Sequence, residues 1–282
     1  MDEHEFQRWV DLLEKRTGVV VPPSRRLFLE TNLRMRLQEL GYRNLARYRD
    51  ECLVGPKGAK EWAVLVDRLT VHETRFFRHP PSLDLVRDQL LPAYLEQGAS
   101  EAFHAWSIGC ATGEEVYSLA MVIDEFTSRQ EQSFYFGITG SDVSPPALAV
   151  GRQGIYASSR LKEIPEKYRQ EYCERFDDNH FRVADRLKRR VGFAVLNLLD
   201  VQRQPMTRLD LIYCQNVLIY FPRVRRHELL NHLVTCLKPG GCLILGAGEV
   251  TLWSNPLVQR VSSQRTLAFR RKAQGEELGG QE

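Results

Sequence analysis

The chain has 282 residues, 43% hydrophobic and 27% charged, which is enough to bury a sizeable core and more than one average domain requires. No run approaches the ~20 apolar residues that span a bilayer, and the start, Met1-Asp2-Glu3-His4-Glu5, is acidic where a secretion signal is basic and then apolar. A cytoplasmic protein without membrane insertion is expected. A net charge of +3 demands no nucleic-acid partner, and the six cysteines (Cys52, Cys110, Cys173, Cys214, Cys236, Cys242) form neither a Cys-x-x-Cys nor a Cys/His cluster, so no metal site and no disulfide framework are expected.

From Phe6 to about Ala63 the apolar positions Trp9, Leu12, Leu13 and then Leu29, Leu33, Leu37, Leu40 recur at helical spacing. Gly18, Pro22-Pro23, Gly41 and Gly55-Pro56 punctuate them as turns. The pattern predicts a small all-α domain over residues 1–68, followed by a linker and a leading helix over 69–101. Beyond about Ala102, short apolar runs alternate with longer helical patterns: Phe103–Ile108, Phe134–Ser141, Val191–Leu196, Leu209–Cys214, Cys242–Leu245 and Thr266–Phe269. That alternation implies a mostly parallel sheet with crossover helices, a doubly wound α/β domain over 102–271. The polar stretch of about 154–190 reads as an inserted subdomain. The tail, 272–282, has too little apolar content to pack and reads as disordered.

The first strand leads into Trp106-Ser107-Ile108-Gly109-Cys110-Ala111-Thr112-Gly113-Glu114-Glu115, a strand, a glycine turn and a helix start. Gly109 lets the backbone approach a ligand. The Gly-x-x-x-Gly spacing departs from the dinucleotide fingerprint and no phosphate-holding Lys follows, which disfavours a pyrophosphate. Glu114 and Glu115 suit a cationic ligand such as the ammonium of an amino acid, although taken alone acidic residues in a first turn more often simply complement the helix dipole. The second strand ends at Asp142, placed to accept both ribose hydroxyls or, alternatively, to cap the next helix with Ser144. Asn197, at the third strand's end, is a candidate for an adenine edge or a plain turn residue. The fourth strand is followed by Gln215-Asn216-Val217-Leu218, where amino-methylating nucleic-acid enzymes carry Asn/Asp-Pro-Pro-aromatic.

Three segments together resemble the CheR chemotaxis methyltransferases: Leu69-Thr70-Val71-His72-Glu73-Thr74-Arg75-Phe76-Phe77-Arg78, the stretch from Trp106 to Met121, and Cys214-Gln215-Asn216-Val217-Leu218-Ile219-Tyr220-Phe221. The resemblance runs along nearly the whole chain. It implies a class I (Rossmann-like) methyltransferase with a small inserted antiparallel subdomain, preceded by a small all-α N-terminal domain. It also implies S-adenosylmethionine as cofactor, S-adenosylhomocysteine as product, and transfer of the methyl group to glutamates on the cytoplasmic signalling helices of methyl-accepting chemoreceptors. Matching positions place Thr74 and Arg78 at the methionine portion of the cofactor, Glu115 at its ammonium, Asp142 at the ribose, Asn197 and Leu198 at the adenine, and Gln215 and Asn216 along the nucleoside wall. Arg78 and Tyr220 should flank the transferred methyl. Two positions depart from the family: His72 stands where a cofactor-contacting Asn is common, and Gln215 where Arg is usual.

Eight arginines against two glutamates between Arg16 and Arg49 make a local basic patch of +6. In the family an Arg-rich helix of this domain faces the acidic methylation region of the receptor, which makes Arg26, Arg34, Arg36 and Arg43 candidate substrate contacts; a merely solvated helix face is the alternative. Some family members grip a receptor tail peptide with a Gly-containing loop in the inserted subdomain. Here Arg175-Phe176-Asp177-Asp178-Asn179-His180-Phe181-Arg182-Val183 has no glycine and looks shorter, so independence from a tail peptide is expected. A monomer suffices. A non-catalytic regulator and a nucleic-acid methyltransferase remain the alternatives.

Overall fold

The first helix, α1 (Glu3–Thr17), begins where the Asp2 side chain accepts the Glu5 N–H at 2.8 Å and ends at Gly18, whose φ of 75° suits glycine. Phe6, Trp9, Val10 and Leu13 form its buried stripe. The second helix, α2 (Arg26–Leu40), buries only Leu29, Leu33 and Leu37 and stops at Gly41, also left-handed. With the helix Gly58–Leu69 they enclose a separate small core in which Trp9 stacks on Tyr48, ring centroids 5.9 Å apart. These are the elements of a computed structural model that describes residues 1–53, 58–70, 73–98, 101–131, 133–203 and 206–273. His72 and the tail beyond Ala273 lie outside the described residues.

Among the described residues the larger domain has ten strands: β1 (Phe103–Ile108), β2 (Phe136–Asp142), β3 (Ile155–Ala157), β4 (Cys173–Arg175), β5 (His180–Val183), β6 (Val191–Val195), β7 (Leu209–Cys214), β8 (Leu237–Leu245), β9 (Val258–Arg260) and β10 (Leu267–Arg271). Seven form one sheet in the order β6-β2-β1-β7-β8-β10-β9, with the first five parallel and β10 antiparallel to both neighbours. The parallel strands read as near-continuous apolar runs because helices cover both faces. Helix Glu114–Ser128 packs on one face with Tyr117, Leu119 and Ile123, and helix Arg223–Cys236 on the other with Leu230 and Leu233.

The expected strand bounds shift by one or two residues at β2, β6 and β10 and by more at β8, and one strand is new. β2 starts at Phe136 rather than Phe134. β8 starts at Leu237, five residues early, because Leu209 pairs with Leu237 ahead of a register shift that absorbs the Pro239-Gly240-Gly241 stretch. β9, absent from the sequence reading, pairs with β10 as an antiparallel edge. The stretch 154–190 forms the small antiparallel sheet β3-β5-β4 with its own short helices. No helix among the described residues is long and apolar enough to cross a membrane. Cys110, Cys214, Cys236 and Cys242 are buried free thiols.

Several contacts seat the helical domain on the carboxyl ends of the parallel strands. Val20 N–H donates to the Tyr220 carbonyl at 2.9 Å, and Asn197 Nδ2 donates to the Arg16 carbonyl at 2.6 Å. Ser144 Oγ donates to Asp67 while accepting the Ala147 N–H that caps the helix Pro145–Gln153.

Candidate active site

Open doubly wound sheets bind ligands beyond the carboxyl ends of their strands, where neighbouring connections diverge. A cavity of about 340 Å³ lies there, floored by the turns after β1, β2, β6 and β7 and roofed by Thr17, Val19 and Arg25 of the helical domain. Gly109 forms its floor with φ 69°; a Cβ there would stand 2.3 Å from Val217 Cγ2, so the turn after β1 and the turn after β7 are fitted to each other through a missing side chain. Ala111 (φ 46°) and Asn216 (φ 62°) are left-handed without being glycine, and each is held by its surroundings. The Ala111 N–H is taken by Asp142 Oδ2 at 2.9 Å.

Asn216 is fixed by a residue the sequence reading missed. Glu249, 1% exposed, accepts the N–H groups of Val217 (2.7 Å) and Leu218 (2.9 Å) through Oε1 and that of Gly246 (2.6 Å) through Oε2. Burial raises the pKa of its carboxyl, and the three backbone donors oppose that rise. A glutamate beside the Gly-Ala-Gly run that ends β8 was the available signal.

Asp142 closes β2 with each oxygen accepting one backbone N–H, Oδ2 from Ala111 and Oδ1 from Ser144 at 3.0 Å. Each oxygen keeps a lone pair, the geometry a vicinal diol requires. Gln215 is 8% exposed and its Nε2 lies buried on the cavity wall without a partner among the described residues. Such an orphan donor calls for a ligand acceptor. Arg78 reaches the cavity from the strained 73–79 loop, where Phe77 (φ 51°) donates its N–H to Ser118 Oγ at 2.9 Å and Phe76 donates its own to Glu163 Oε2 at 3.0 Å. One Arg78 nitrogen donates to the Glu73 carbonyl at 2.6 Å. Tyr220, at the end of the turn Leu218–Tyr220, lines the same cavity.

Of the expected cofactor residues, Arg78, Gly109, Asp142, Asn197, Leu198, Gln215 and Asn216 share this cavity. Asn197 is occupied beyond expectation: one amide hydrogen goes to Arg16 and its Oδ1 accepts the Leu199 N–H at 3.0 Å, so it staples the two domains as a turn residue. Thr74 and Glu115 are off the wall. The Thr74 carbonyl accepts from Arg160 at 2.9 Å. Glu115 sits behind the wall, accepting from Ser107 Oγ at 2.7 Å; burial raises its pKa to about 8, the Ser107 bond and the Arg78 charge oppose the rise, and the Glu249 charge adds to it. Glu114 is spent on structure, with Oε1 3.2 Å from Arg160 and Oε2 accepting from Thr112 at 2.6 Å.

The α2 arginines need correction. Arg36 points inward, bonded to both oxygens of Glu61 at 2.7 and 2.6 Å, and Tyr48 also donates to Glu61. Burial raises the Glu61 pKa, but the bonds from Arg36 and Tyr48 outweigh it and lower the value overall. Arg26 is bound to Glu3, Glu30 and the Met1 carbonyl. Both are domain-internal because their helical phase brings them beside acidic partners from other segments. Arg34, 68% exposed, and Arg43 face outward.

The glycine turn after β1, the Asp142 carboxylate at the end of β2 and the parallel sheet closed by antiparallel β10 are the features of an S-adenosylmethionine-dependent methyltransferase of the class I, Rossmann-like type, and the family matches bear that class out. The donor set fits that cofactor: Asp142 would hold its ribose, the Gln215 donor and Leu198 its nucleoside, and Arg78 its amino-acid end. Residues 4–70 match the description "CheR methyltransferase, all-alpha domain" and residues 72–267 "CheR methyltransferase, SAM binding domain", so the chain belongs to the CheR methyltransferase family. It is similar to the chemotaxis protein methyltransferase of Borreliella burgdorferi (29% identical over 248 residues, 87% of each chain). The similarity extends to chemotaxis protein methyltransferase 1 of Pseudomonas aeruginosa (29% over 249 residues, 87% of this chain and 89% of that one). The Escherichia coli chemotaxis protein methyltransferase is 31% identical over 252 residues, 88% of this chain and 85% of that one.

Proposed function

We propose that this protein forms methyl esters on glutamate side chains of the cytoplasmic signalling helices of methyl-accepting chemoreceptors, acting as a cytoplasmic monomer. The observation that carries this reading is the composition of the cavity wall. Arg25, Arg78 and Tyr220 stand there, whereas no His, Lys or Cys lines the cavity among the described residues. An amine acceptor, with a pKa near ~10.4, must lose a proton before it attacks; a glutamate, near ~4.3, is already an anion at neutral pH. The wall's carboxylates are Glu73, beside Arg78, and Asp142, both of whose oxygens already accept backbone N–H groups, so two arginines and a hydroxyl with no imidazole or amine base suit an acceptor that is already an anion.

S-adenosylmethionine, when bound, supplies an activated methyl on a positively charged sulfur. The chain's own residues have the task of alignment, which is worth up to roughly 7–11 kcal/mol when the attacking oxygen is held about 3–3.5 Å from its target. Arg78, already bonded to its own loop, contributes positive charge without clamping the carboxylate bidentately, and that leaves the attacking lone pair free. Tyr220 is the second donor.

The outward face of α2 supports a receptor-helix partner. Leu27 (77% exposed), Phe28 and Met35 alternate with Arg34, an apolar and basic surface suited to an amphipathic acidic helix. Independence from a tail peptide is supported by the β4–β5 connection, which closes on itself: Asp177 Oδ1 accepts the N–H groups of Asn179 and His180, both at 2.8 Å, and Arg175 pairs with Asp178.

The test is transfer of radiolabelled methyl to receptor-bearing membranes, followed by mild base, which hydrolyses esters and spares N-methyl groups. Base-labile label on a receptor supports the reading. Base-stable label indicates an amine or nucleic-acid acceptor, and cofactor binding without any transfer indicates a regulator. Tyr220→Phe with wild-type turnover removes Tyr220 from the mechanism, and micromolar binding of a receptor tail pentapeptide removes the claim of tail independence.

A further inference from the structure

The connection between α1 and α2 is clamped to the catalytic turn. Gly18 is left-handed and lies so close to Phe221 that a Cβ would stand 2.4 Å from its ring. Val20 N–H holds the Tyr220 carbonyl at 2.9 Å, and Pro22 leads into the short turn Pro23–Arg25 that starts α2. Pinned along this path, the segment carries the Arg25 guanidinium over the Tyr220 ring, 5.6 Å from its centroid, and into the cavity wall. Its neighbours in sequence and helix are spent on carboxylates, Arg26 on Glu3 and Glu30, Arg36 on Glu61 and Glu39. Arg25 has no carboxylate within ion-pair distance among the described residues.

We infer that Arg25 is a specificity-determining residue that grips a carboxylate of the acidic substrate segment at the mouth of the methyl-transfer site, beside the glutamate being methylated. The inference rests on the proposed carboxyl-methyl transfer. Stacking on Tyr220 occupies one face of the guanidinium and leaves its in-plane N–H donors free, so Arg25 can bond a carboxylate edge while it remains stacked. That carboxylate is a neighbour of the reacting one for a chemical reason. A bidentate arginine on the reacting group would draw charge from the attacking oxygen, whereas the same contact on an adjacent acidic side chain positions the segment and leaves the nucleophile alone. The roof of the site thereby reads substrate charge, and the floor holds the cofactor.

The experiment compares wild type, Arg25→Gln and Arg25→Lys, with a soluble coiled-coil fragment of a chemoreceptor's cytoplasmic region as substrate and base-labile label as readout. One lost charge-assisted contact at an exposed mouth raises KM for the fragment about tenfold in Arg25→Gln, with kcat and cofactor affinity within about twofold. Arg25→Lys recovers part of the loss, and raising salt weakens wild type more than Arg25→Gln. Unchanged KM and salt dependence in Arg25→Gln overturn the inference. So does a loss confined to kcat or to cofactor affinity, which would make Arg25 a support for Tyr220 or the roof. Thermal melting of each variant at the wild-type temperature confirms that the exposed substitution leaves the fold intact; a fall in melting temperature that accompanies the rise in KM assigns Arg25 to structure and overturns the inference. Absence of base-labile label with wild type overturns the proposed function and this inference together, whereas labelling by wild type with an indistinguishable Arg25→Gln overturns the inference alone.

Discussion

Glu115 offers a test of the cofactor site that requires no receptor. Its pKa is raised to about 8 mainly by burial, so at pH 7 roughly nine carboxyls in ten carry a proton. A ligand whose ammonium pairs with the ionised form must expel that proton. Because one pKa unit corresponds to about 1.4 kcal/mol, affinity falls roughly tenfold at pH 7 and a hundredfold at pH 6 below its plateau. Calorimetric titration with S-adenosylhomocysteine between pH 6 and 7.5, in buffers of different ionisation heat, should show Kd falling close to tenfold per pH unit and nearly one proton released at pH 7. Glu115→Gln should flatten the profile. Without ligand the sign reverses: the folded state binds the extra proton, so Glu115 costs stability as pH rises from its ordinary 4.5 toward 8, and Glu115→Gln should melt higher than wild type near pH 8. A pH-independent wild-type affinity with no proton release would refute the ammonium contact and leave Glu115 as a buried partner of Ser107.

Gly109→Ala places a methyl 2.3 Å from Val217 Cγ2 at a left-handed φ, and should cost about 2–4 kcal/mol in denaturant unfolding together with most of the cofactor affinity; wild-type binding would show that the two turns are not fitted there. Glu249→Gln turns an amide donor toward backbone donors and should lower stability by about 1–3 kcal/mol and weaken cofactor binding, measured by melting and titration. Arg36→Gln leaves Glu61 buried without its cation, at about 3–5 kcal/mol, visible as early hydrogen exchange in the helical domain. Normal exchange with impaired receptor methylation would instead restore Arg36 to the substrate surface.

The arginines show where sequence reading stopped. The run from Arg16 to Arg49 was visible as a charge excess, and the spacings Arg26–Glu30 and Arg36–Glu39 report a local partner for each, but the second acids, Glu3 and Glu61, lie 23 and 25 positions away, and no local pattern reports those. Glu249 escaped for the same reason, since it acts on Val217 and Leu218 from the far side of a parallel crossover. Asn197 was legible as a turn residue; that its other bond reaches Arg16 was not.

What the sequence determined by itself is local. Helical stripes, apolar strand runs, Gly109 in the turn after β1 and Asp142 at the end of β2 follow from periodicity and turn chemistry that each segment carries alone, and the three motif segments identified the family. The tertiary structure decided which side chains meet. Packing inside the helical domain spends Arg26 and Arg36, the crossover from β7 to β8 places Glu249 under Val217, and closing the helical domain over the sheet brings Arg25 onto Tyr220, because contacts between segments depend on how packed surfaces are oriented, and that orientation is a property of the whole chain.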